Sequence, residues 1–144
     1  MFKNDLSFGD FWAQRQLEML GITKYRKMDG KFSGFDYITV EGDEIVLREM
    51  KSCRLGHKTG NIAIEFKCSG RDSGIQTTKA DYWNYLIVET GELYNIPVSV
   101  LKDAVHRMKW ADILSGGDNN GAMLYLFPKE VFAAYLYKPK DVAR

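Results

Sequence analysis

The sequence predicts a mixed α/β domain in which helices flank a central mixed β-sheet. Two runs of β-branched and aromatic residues, 36–40 and 45–47, flank a polar stretch of hairpin-loop length at 41–44. Before position 20, apolar residues recur at the three- to four-residue spacing of a helix. Strand-like and helix-like segments follow after position 60. Strands that first meet as hairpins and then cross over a helix form a mixed sheet covered by helices.

The first element is expected to be a helix that ends near position 20. Ser7 or Asp10 is a suitable N-cap, and Gly21 is a suitable C-terminal stop. Glu18 lies close to the edge of the expected buried stripe, and periodicity alone favours an exposed side chain for it. The stripe consists of Phe8, Phe11, Trp12, Arg15 and Met19.

The hairpin predicts where two acidic residues meet. If Val40 pairs with Ile45, Asp36 lies opposite Glu49, with Cβ atoms roughly 5 Å apart. Lys51 points to the same face as Glu49 because side chains alternate along a strand. The two carboxylates repel each other, and a divalent cation between them removes the repulsion. Oxygen ligands with open positions suit Mg²⁺ or Mn²⁺.

A simpler interpretation of the same residues stays open at this point. The end of the hairpin can be a solvated surface on which Lys51 offsets the charges of Asp36 and Glu49. Short patterns of this kind arise by chance, so their spacing alone does not distinguish the two interpretations.

The later elements add further polar candidates. A third strand at 61–67 contains Glu65 and Lys67, a second E-x-K pattern, and we expect it beside the hairpin. Thr78 and Asp81 fit a capping box that opens a short helix, where Lys79 and the helix N-terminus would hold a phosphate; an ordinary capped helix is the alternative. We then expect a strand at 85–88, a helix at 99–114, a strand at 122–127 and a helix at 129–137.

Composition limits the class of protein. With 144 residues, 45% of them hydrophobic, the chain can bury one core, so we expect one domain over residues 1–144. It contains no apolar run of membrane-spanning length and no signal-peptide pattern, so we expect a soluble cytoplasmic protein with no membrane partner. Cys53 and Cys68 form no Cys-x-x-Cys pair, which argues against structural zinc and favours reduced thiols.

The distribution of charge favours a nucleic-acid partner more than its total does. The formal net charge is only +1. Between positions 48 and 79, however, seven basic residues, Arg54 and Lys58 among them, stand against three acidic ones. A second basic cluster at 24–31 precedes the hairpin. Both clusters flank the expected site, as phosphate-contacting residues would.

The order of elements and the motifs together resemble the PD-(D/E)XK nuclease superfamily, and most closely its small stand-alone members encoded by tailed phages. The likeness covers about residues 8–90 and implies a restriction-endonuclease-like αβββαβ core followed by a C-terminal helix and strand extension. Asp36 and residues 49–51 match the catalytic pattern, while 61–65 and 73–83 match features of the phage group. One departure is Phe35, which stands where the motif's name has proline.

The resemblance implies roles for individual residues. Asp36, Glu49 and the main-chain carbonyl of Met50 would hold Mg²⁺ or Mn²⁺, and Lys51 would polarise the attacking water. Glu18 would supply the acidic residue that the first helix often contributes. The likeness also implies substrate contacts for Glu65, Ser73, Thr78 and Lys79. If the protein is phage-encoded, it would act in the cytoplasm of the bacterial host.

The function expected from these features is metal-dependent endonucleolytic hydrolysis of DNA. One alternative is a structure-selective nuclease resembling Holliday-junction resolvases, which would favour a homodimer. The other is a nuclease fold that binds DNA or protein without cutting, although Asp36, Glu49 and Lys51 are all present.

Overall fold

The structure, a computed structural model, describes residues 5–29, 34–54, 60–115 and 121–138. Helix α1 spans Asp5–Met19 and helix α2 spans Val98–His106. Short 3-10 helices span Gly74–Gln76 and Lys129–Tyr135. The strands in these segments are β1 (Lys24–Lys27), β2 (Tyr37–Glu41), β3 (Glu44–Cys53), β4 (Asn61–Cys68), β5 (Arg71–Asp72), β6 (Tyr82–Ile87), β7 (Glu92–Pro97), β8 (Asp112–Ser115) and β9 (Ala122–Pro128).

The strands form two sheets, and the predicted mixed α/β fold class is confirmed. The first sheet has the order β1-β2-β3-β6-β7, with β3 and β6 parallel and the other neighbours antiparallel. The second has the order β5-β4-β9-β8 and is antiparallel throughout. Among the described residues, no helix combines the length and apolar character of a membrane span.

The β2–β3 hairpin has the predicted register. Val40 pairs with Ile45 and Tyr37 with Arg48, across a turn at Gly42 and Asp43. Gly42 has a φ of +65°, a left-handed conformation that glycine adopts without steric cost. Local turn chemistry and strand alternation are sufficient to specify this pairing.

The expectation that β4 lies beside the hairpin in the same sheet is wrong. Ile62, Ile64 and Phe66 of β4 are buried, but the strand pairs with β9, which follows more than fifty positions later. The strand next to β3 is instead β6. An apolar pattern predicts that a strand is buried, but it does not identify the strand with which it pairs.

Two faces of the first sheet have different surroundings. The helix face, which carries Tyr37, Thr39, Arg48 and Met50, packs under α1 in a cluster that includes Ala13 and Leu17. We call the opposite face, which carries Asp36, Glu49 and Lys51, the site face. Over β6 and β7 the site face joins the second sheet and α2 in the main core, whose members include Trp83, Tyr85, Ile64, Phe127 and Leu101.

Several predicted element boundaries are also corrected. The helix expected at 99–114 ends at His106, and residues 112–115 form β8. The last helix is a 3-10 segment that ends at Tyr135. Strands β1 and β7 were not expected. Helix α1 already begins at Asp5, so neither Ser7 nor Asp10 is its N-cap.

The buried side of α1 differs from the predicted stripe. Phe11 and Met19 are 40% and 38% exposed, whereas Ala13, Gln16 and Leu17 are buried. These buried residues have the same helical spacing as the predicted ones. The large aromatic side chains therefore suggested the wrong side of an otherwise correct helix.

Candidate active site

Asp36 is held against strand β3 by hydrogen bonds from both its main chain and its side chain. Its amide donates to the carbonyl of Arg48 at 2.9 Å, and the amide of Met50 donates to its Oδ2 at 2.8 Å. The paired part of the hairpin ends one residue after Asp36, at Tyr37 and Arg48, and the negative charge of Asp36 acts on Glu49. The hydrogen bond to Met50 does not use Oδ1 of Asp36.

Glu49 and Lys51 form an ion pair next to Asp36. Lys51 Nζ lies 3.4 Å from Glu49 Oε2, and the side chains are 48% and 12% exposed, respectively. The lysine ammonium also lies 5.9 Å from the ring centroid of the buried Trp83. Glu49 is therefore mostly enclosed, while Lys51 reaches solvent.

The electrostatics of this group show that its charges interact. Burial, and then the negative charges of Asp36 and Glu65, raise the pKa of Glu49 to about 7, although Lys51 acts in the opposite direction. Burial alone lowers the pKa of Lys51, but Glu49 and Asp36 raise it by more, so the lysine pKa lies above its usual value. Concentrated negative charge at one end of the hairpin favours a cation there.

Glu65 comes to this group from the second sheet. Its charge acts on both Glu49 and Lys51. Ser73 Oγ donates to Glu65 Oε2 at 2.8 Å, and the pairing of β4 with β9 shifts register directly after Glu65. Such β-bulges redirect side chains and are frequent next to active sites.

Gly74 makes the contact between the Ser73 turn and β4 possible. It has a φ of +53°, and a Cβ atom there would lie 2.0 Å from the carbonyl oxygen of Glu65. Only glycine fits this close approach. The structure thus brings Glu65 and Ser73 together, and a tight turn keeps them in place.

Thr78 and Lys79 hold the segment that leads into Asp36. Thr78 is buried, and its hydroxyl donates to the carbonyl of Gly34 at 3.3 Å. The amide of Lys79 donates to the same carbonyl at 2.8 Å, and the Lys79 side chain is exposed. The expected helix at this point is absent, and the expected cap partner, Asp81, instead accepts a hydrogen bond from the Leu47 amide at 2.8 Å.

Glu18 is not the residue through which α1 approaches the site. Its carboxylate pairs with Arg15 at 2.8 Å, and its side chain is 66% exposed. The α1 residue that contacts β3 is Gln16, which is fully buried and donates through Nε2 to the Lys51 carbonyl at 2.8 Å and to Ser52 Oγ at 3.1 Å. The sequence signal for Gln16 was its place three residues after Ala13, on the side of the helix that also carries Leu17.

The remaining basic candidates lie at or beyond the edge of the described region. Arg54 is exposed, with its guanidinium carbon 3.9 Å from the ring centroid of Phe8. Lys58 lies outside the described residues.

The carboxylate oxygens of Asp36 and Glu49 are of the kind that hard cations prefer. Within the described segments, no three His, Cys, Asp or Glu side chains are grouped so as to hold a metal by themselves. Mg²⁺ is commonly held by one or two carboxylates together with water and substrate phosphate oxygens. Two carboxylates and a main-chain carbonyl, that of Met50, fit this kind of binding.

Comparison with known structures identifies the kind of fold. The structure is similar to that of a bacterial homing endonuclease, I-Ssp6803I, with a TM-score of 0.51 and 14% sequence identity; the match covers 100% of this chain and 82% of that chain. The fold is nuclease-like. At this identity the similarity concerns the fold alone. No protein-family model matches the sequence, and no curated protein matches it.

Proposed function

We propose that this protein is a Mg²⁺- or Mn²⁺-dependent endonuclease that hydrolyses phosphodiester bonds in DNA. The observation that carries the proposal is the grouping of Asp36, Glu49 and Lys51 at one end of the β2–β3 hairpin. The Asp36 carboxylate accepts a hydrogen bond from the Met50 amide, and Lys51 Nζ lies 3.4 Å from the Glu49 carboxylate. We further propose a single domain over residues 1–144 of the PD-(D/E)XK type, related to the small nucleases of tailed phages. The nuclease-like fold supports the proposed nuclease activity and the choice of DNA as substrate.

The residues proposed to hold the cation are Asp36, Glu49 and the carbonyl of Met50. The cation would lower the pKa of a bound water and neutralise charge that develops on the phosphate. Its positive charge would also offset the burial and the repulsion by Asp36 and Glu65 that together raise the Glu49 pKa. Glu18 is left out of this set because its carboxylate pairs with Arg15 and faces solvent.

Lys51 is proposed to act on the attacking water and on the phosphate. It keeps its positive charge at neutral pH, because the nearby carboxylates raise its pKa. The half-exposed ammonium can donate to a water molecule on the site face and to an oxygen of the phosphate, stabilising the negative charge of the transition state. The backbone hydrogen bond to Asp36 and the enclosure of Glu49 keep the two acids oriented.

Substrate contacts are proposed for residues around this centre. Ser73 and Glu65 lie next to it, and Lys79 and Arg54 are exposed and positively charged. Thr78 would act through the Gly34 segment that it holds, since its side chain is buried. Lys58, which lies outside the described residues, completes the proposed set.

A nicking assay tests the proposal. Supercoiled, linear, single-stranded and branched DNA are incubated with the protein in Mg²⁺, Mn²⁺ or EDTA. We expect cutting that requires the metal, and a loss of more than about 10²-fold in both Asp36→Asn and Lys51→Ala. Lys102→Ala, on the exposed side of α2, is the matched lysine control and should retain parental activity.

The assay also separates the alternatives. Unchanged activity of Lys51→Ala would refute the role given to the lysine. Cutting confined to branched DNA would favour a resolvase-like enzyme. A homodimer would then be expected. A parent protein that cuts none of the substrates would favour a binding module.

A further inference from the structure

The site face of the first sheet continues beyond Asp36 and Glu49 onto the outer strands. The register places Lys24 beside Val40 and Arg26 beside Ile38, and the same rows continue to Ile45 and Leu47 on β3. Strand alternation puts all of these side chains on the face of Glu49. We call this surface the outer platform: Lys24, Arg26, Ile38, Val40, Ile45 and Leu47.

Burial shows that the outer platform is open. Ile45 is 70% exposed and Val40 is 40% exposed, whereas Thr39, which points to the helix face, is fully buried. None of the platform's apolar residues belongs to either hydrophobic core cluster of the described chain. The site face is therefore covered over β6 and β7 and becomes exposed toward the outer end of the hairpin, at Val40 and Ile45.

Contacts with α1 confirm which basic residues belong to the platform. The Tyr25 hydroxyl donates to Gln14 at 2.9 Å, and Lys27 forms an ion pair with Asp10. Because Gln14 and Asp10 lie on α1, Tyr25 and Lys27 point to the helix face. The intervening Lys24 and Arg26 must then point to the site face.

The two platform cations differ from Lys27 in their electrostatic surroundings. Both are exposed, and among the described residues no acidic side chain forms an ion pair with either. Arg26 pairs with Ile38, which lies two positions after Asp36. This offset corresponds to roughly 8 Å between the Cα atoms of Arg26 and Asp36. Unpaired positive charge thus lies beside the acidic centre, on the same open surface.

We propose that the phosphate backbone of DNA crosses the outer platform on its way into the site, with Lys24 and Arg26 binding phosphates to one side of the bond that is cut. The exposed apolar side chains, with Ile45 at the outer end, contact sugars and bases between those phosphates. The proposal rests on the proposed nuclease function. A second copy of this chain would bury both cations on docking here, whereas a polyanion neutralises them.

DNA binding in EDTA tests the platform without cleavage. Fluorescence anisotropy is measured with a short labelled duplex and with the matching single strand, for the parent, for Lys24→Gln/Arg26→Gln and for the control Lys27→Gln. Each lost phosphate contact should weaken binding about eightfold at roughly 0.1 M salt. The double variant should also reduce the slope of log affinity against log salt by about 2, and the control should leave it unchanged.

Three outcomes would overturn the proposal. One is a parent that binds neither probe in EDTA, and another is a double variant that binds as tightly as Lys27→Gln. The third is a dimeric parent that Ile45→Asp converts to a monomer with unchanged DNA affinity, which would make the platform a self-association surface. If the parent protein binds DNA through Lys24 and Arg26 but cuts none of the substrates, the proposal for the outer platform stands and the proposed nuclease function fails.

Discussion

The Met50 amide donates a hydrogen bond to the Asp36 carboxylate at 2.8 Å, so the main chain of one hairpin strand fixes the acidic side chain that precedes the other. This contact gives Asp36 a structural role as well as its proposed catalytic one. The two roles can be separated because asparagine keeps an oxygen acceptor and loses the negative charge.

We therefore expect Asp36→Asn and Asp36→Leu to differ in stability but not in activity. Asp36→Asn should stay within about 1 kcal/mol of the parent, and Asp36→Leu should lose about 1–3 kcal/mol because the Met50 amide loses its partner. Both should lose nicking activity. Urea unfolding monitored by circular dichroism gives the free energies, and equal stability of the two variants would contradict the structural role.

Gln16 should matter more than Glu18, although both lie on α1. Gln16→Leu removes the hydrogen bonds to the Lys51 carbonyl and to Ser52, both at a partly buried contact, and should cost about 1–3 kcal/mol. Glu18→Gln removes only an exposed pair with Arg15 and should change stability by less than about 0.5 kcal/mol. It should also keep full nicking activity; a large loss of activity in Glu18→Gln would restore Glu18 to the site.

Gly74→Ala should be among the most damaging single substitutions. The new Cβ would meet the Glu65 carbonyl in a left-handed backbone conformation, so we expect a loss of about 3 kcal/mol or more. Gly91→Ala is the matched control: its φ is +76° and a Cβ there meets nothing within 4 Å. That control should cost about 1–2 kcal/mol, the backbone penalty alone. Thermal unfolding compares the two, and similar losses would argue against the close approach at Glu65.

A buried network on the helix face should make stability depend on pH through Glu41. The Arg48 guanidinium is 3% exposed and binds Glu41 through two nitrogens at 3.0 and 2.8 Å. It also donates to Asn84 at 3.0 Å and to Asn95 at 2.9 Å. Burial raises the Glu41 pKa, but the hydrogen bonds from Arg48 and Thr39 lower it by more, so the folded-state pKa lies below the usual value.

Because folding lowers this pKa, the ionised Glu41 stabilises the fold above the unfolded-state pKa of about 4.3, and the contribution is lost as the pH falls through the folded-state value. Glu41→Gln should therefore cost about 1–3 kcal/mol at pH 7, by leaving Arg48 poorly paired, and progressively less at pH values below about 4. Urea unfolding over this range measures the difference. Asp103→Asn, which removes an exposed pair with Arg107, should show little change at any pH.

The sequence predictions were accurate for features that depend on contacts between residues close in sequence, and wrong for features that depend on distant contacts. The β2–β3 register and the approach of Lys51 to Glu49 depend on a short turn and on strand alternation, both local. The partner of β4 and the end of α2 depend on packing against distant segments. The prediction for α1 was correct for the element and wrong for its buried side, because the large apolar residues Phe11 and Met19 face solvent while the polar Gln16 is buried.

The sequence by itself determined the hairpin, and with it the approach of Asp36 to β3 and the side to which Lys51 points, because turn length and two-residue alternation leave little freedom. Tertiary structure decided that Glu65 arrives from a second sheet, that Gln16 rather than Glu18 contacts β3, and that Lys24 and Arg26 share the face of Glu49 while Lys27 does not. These outcomes depend on which distant surfaces bury one another, and a local pattern carries no information about that choice.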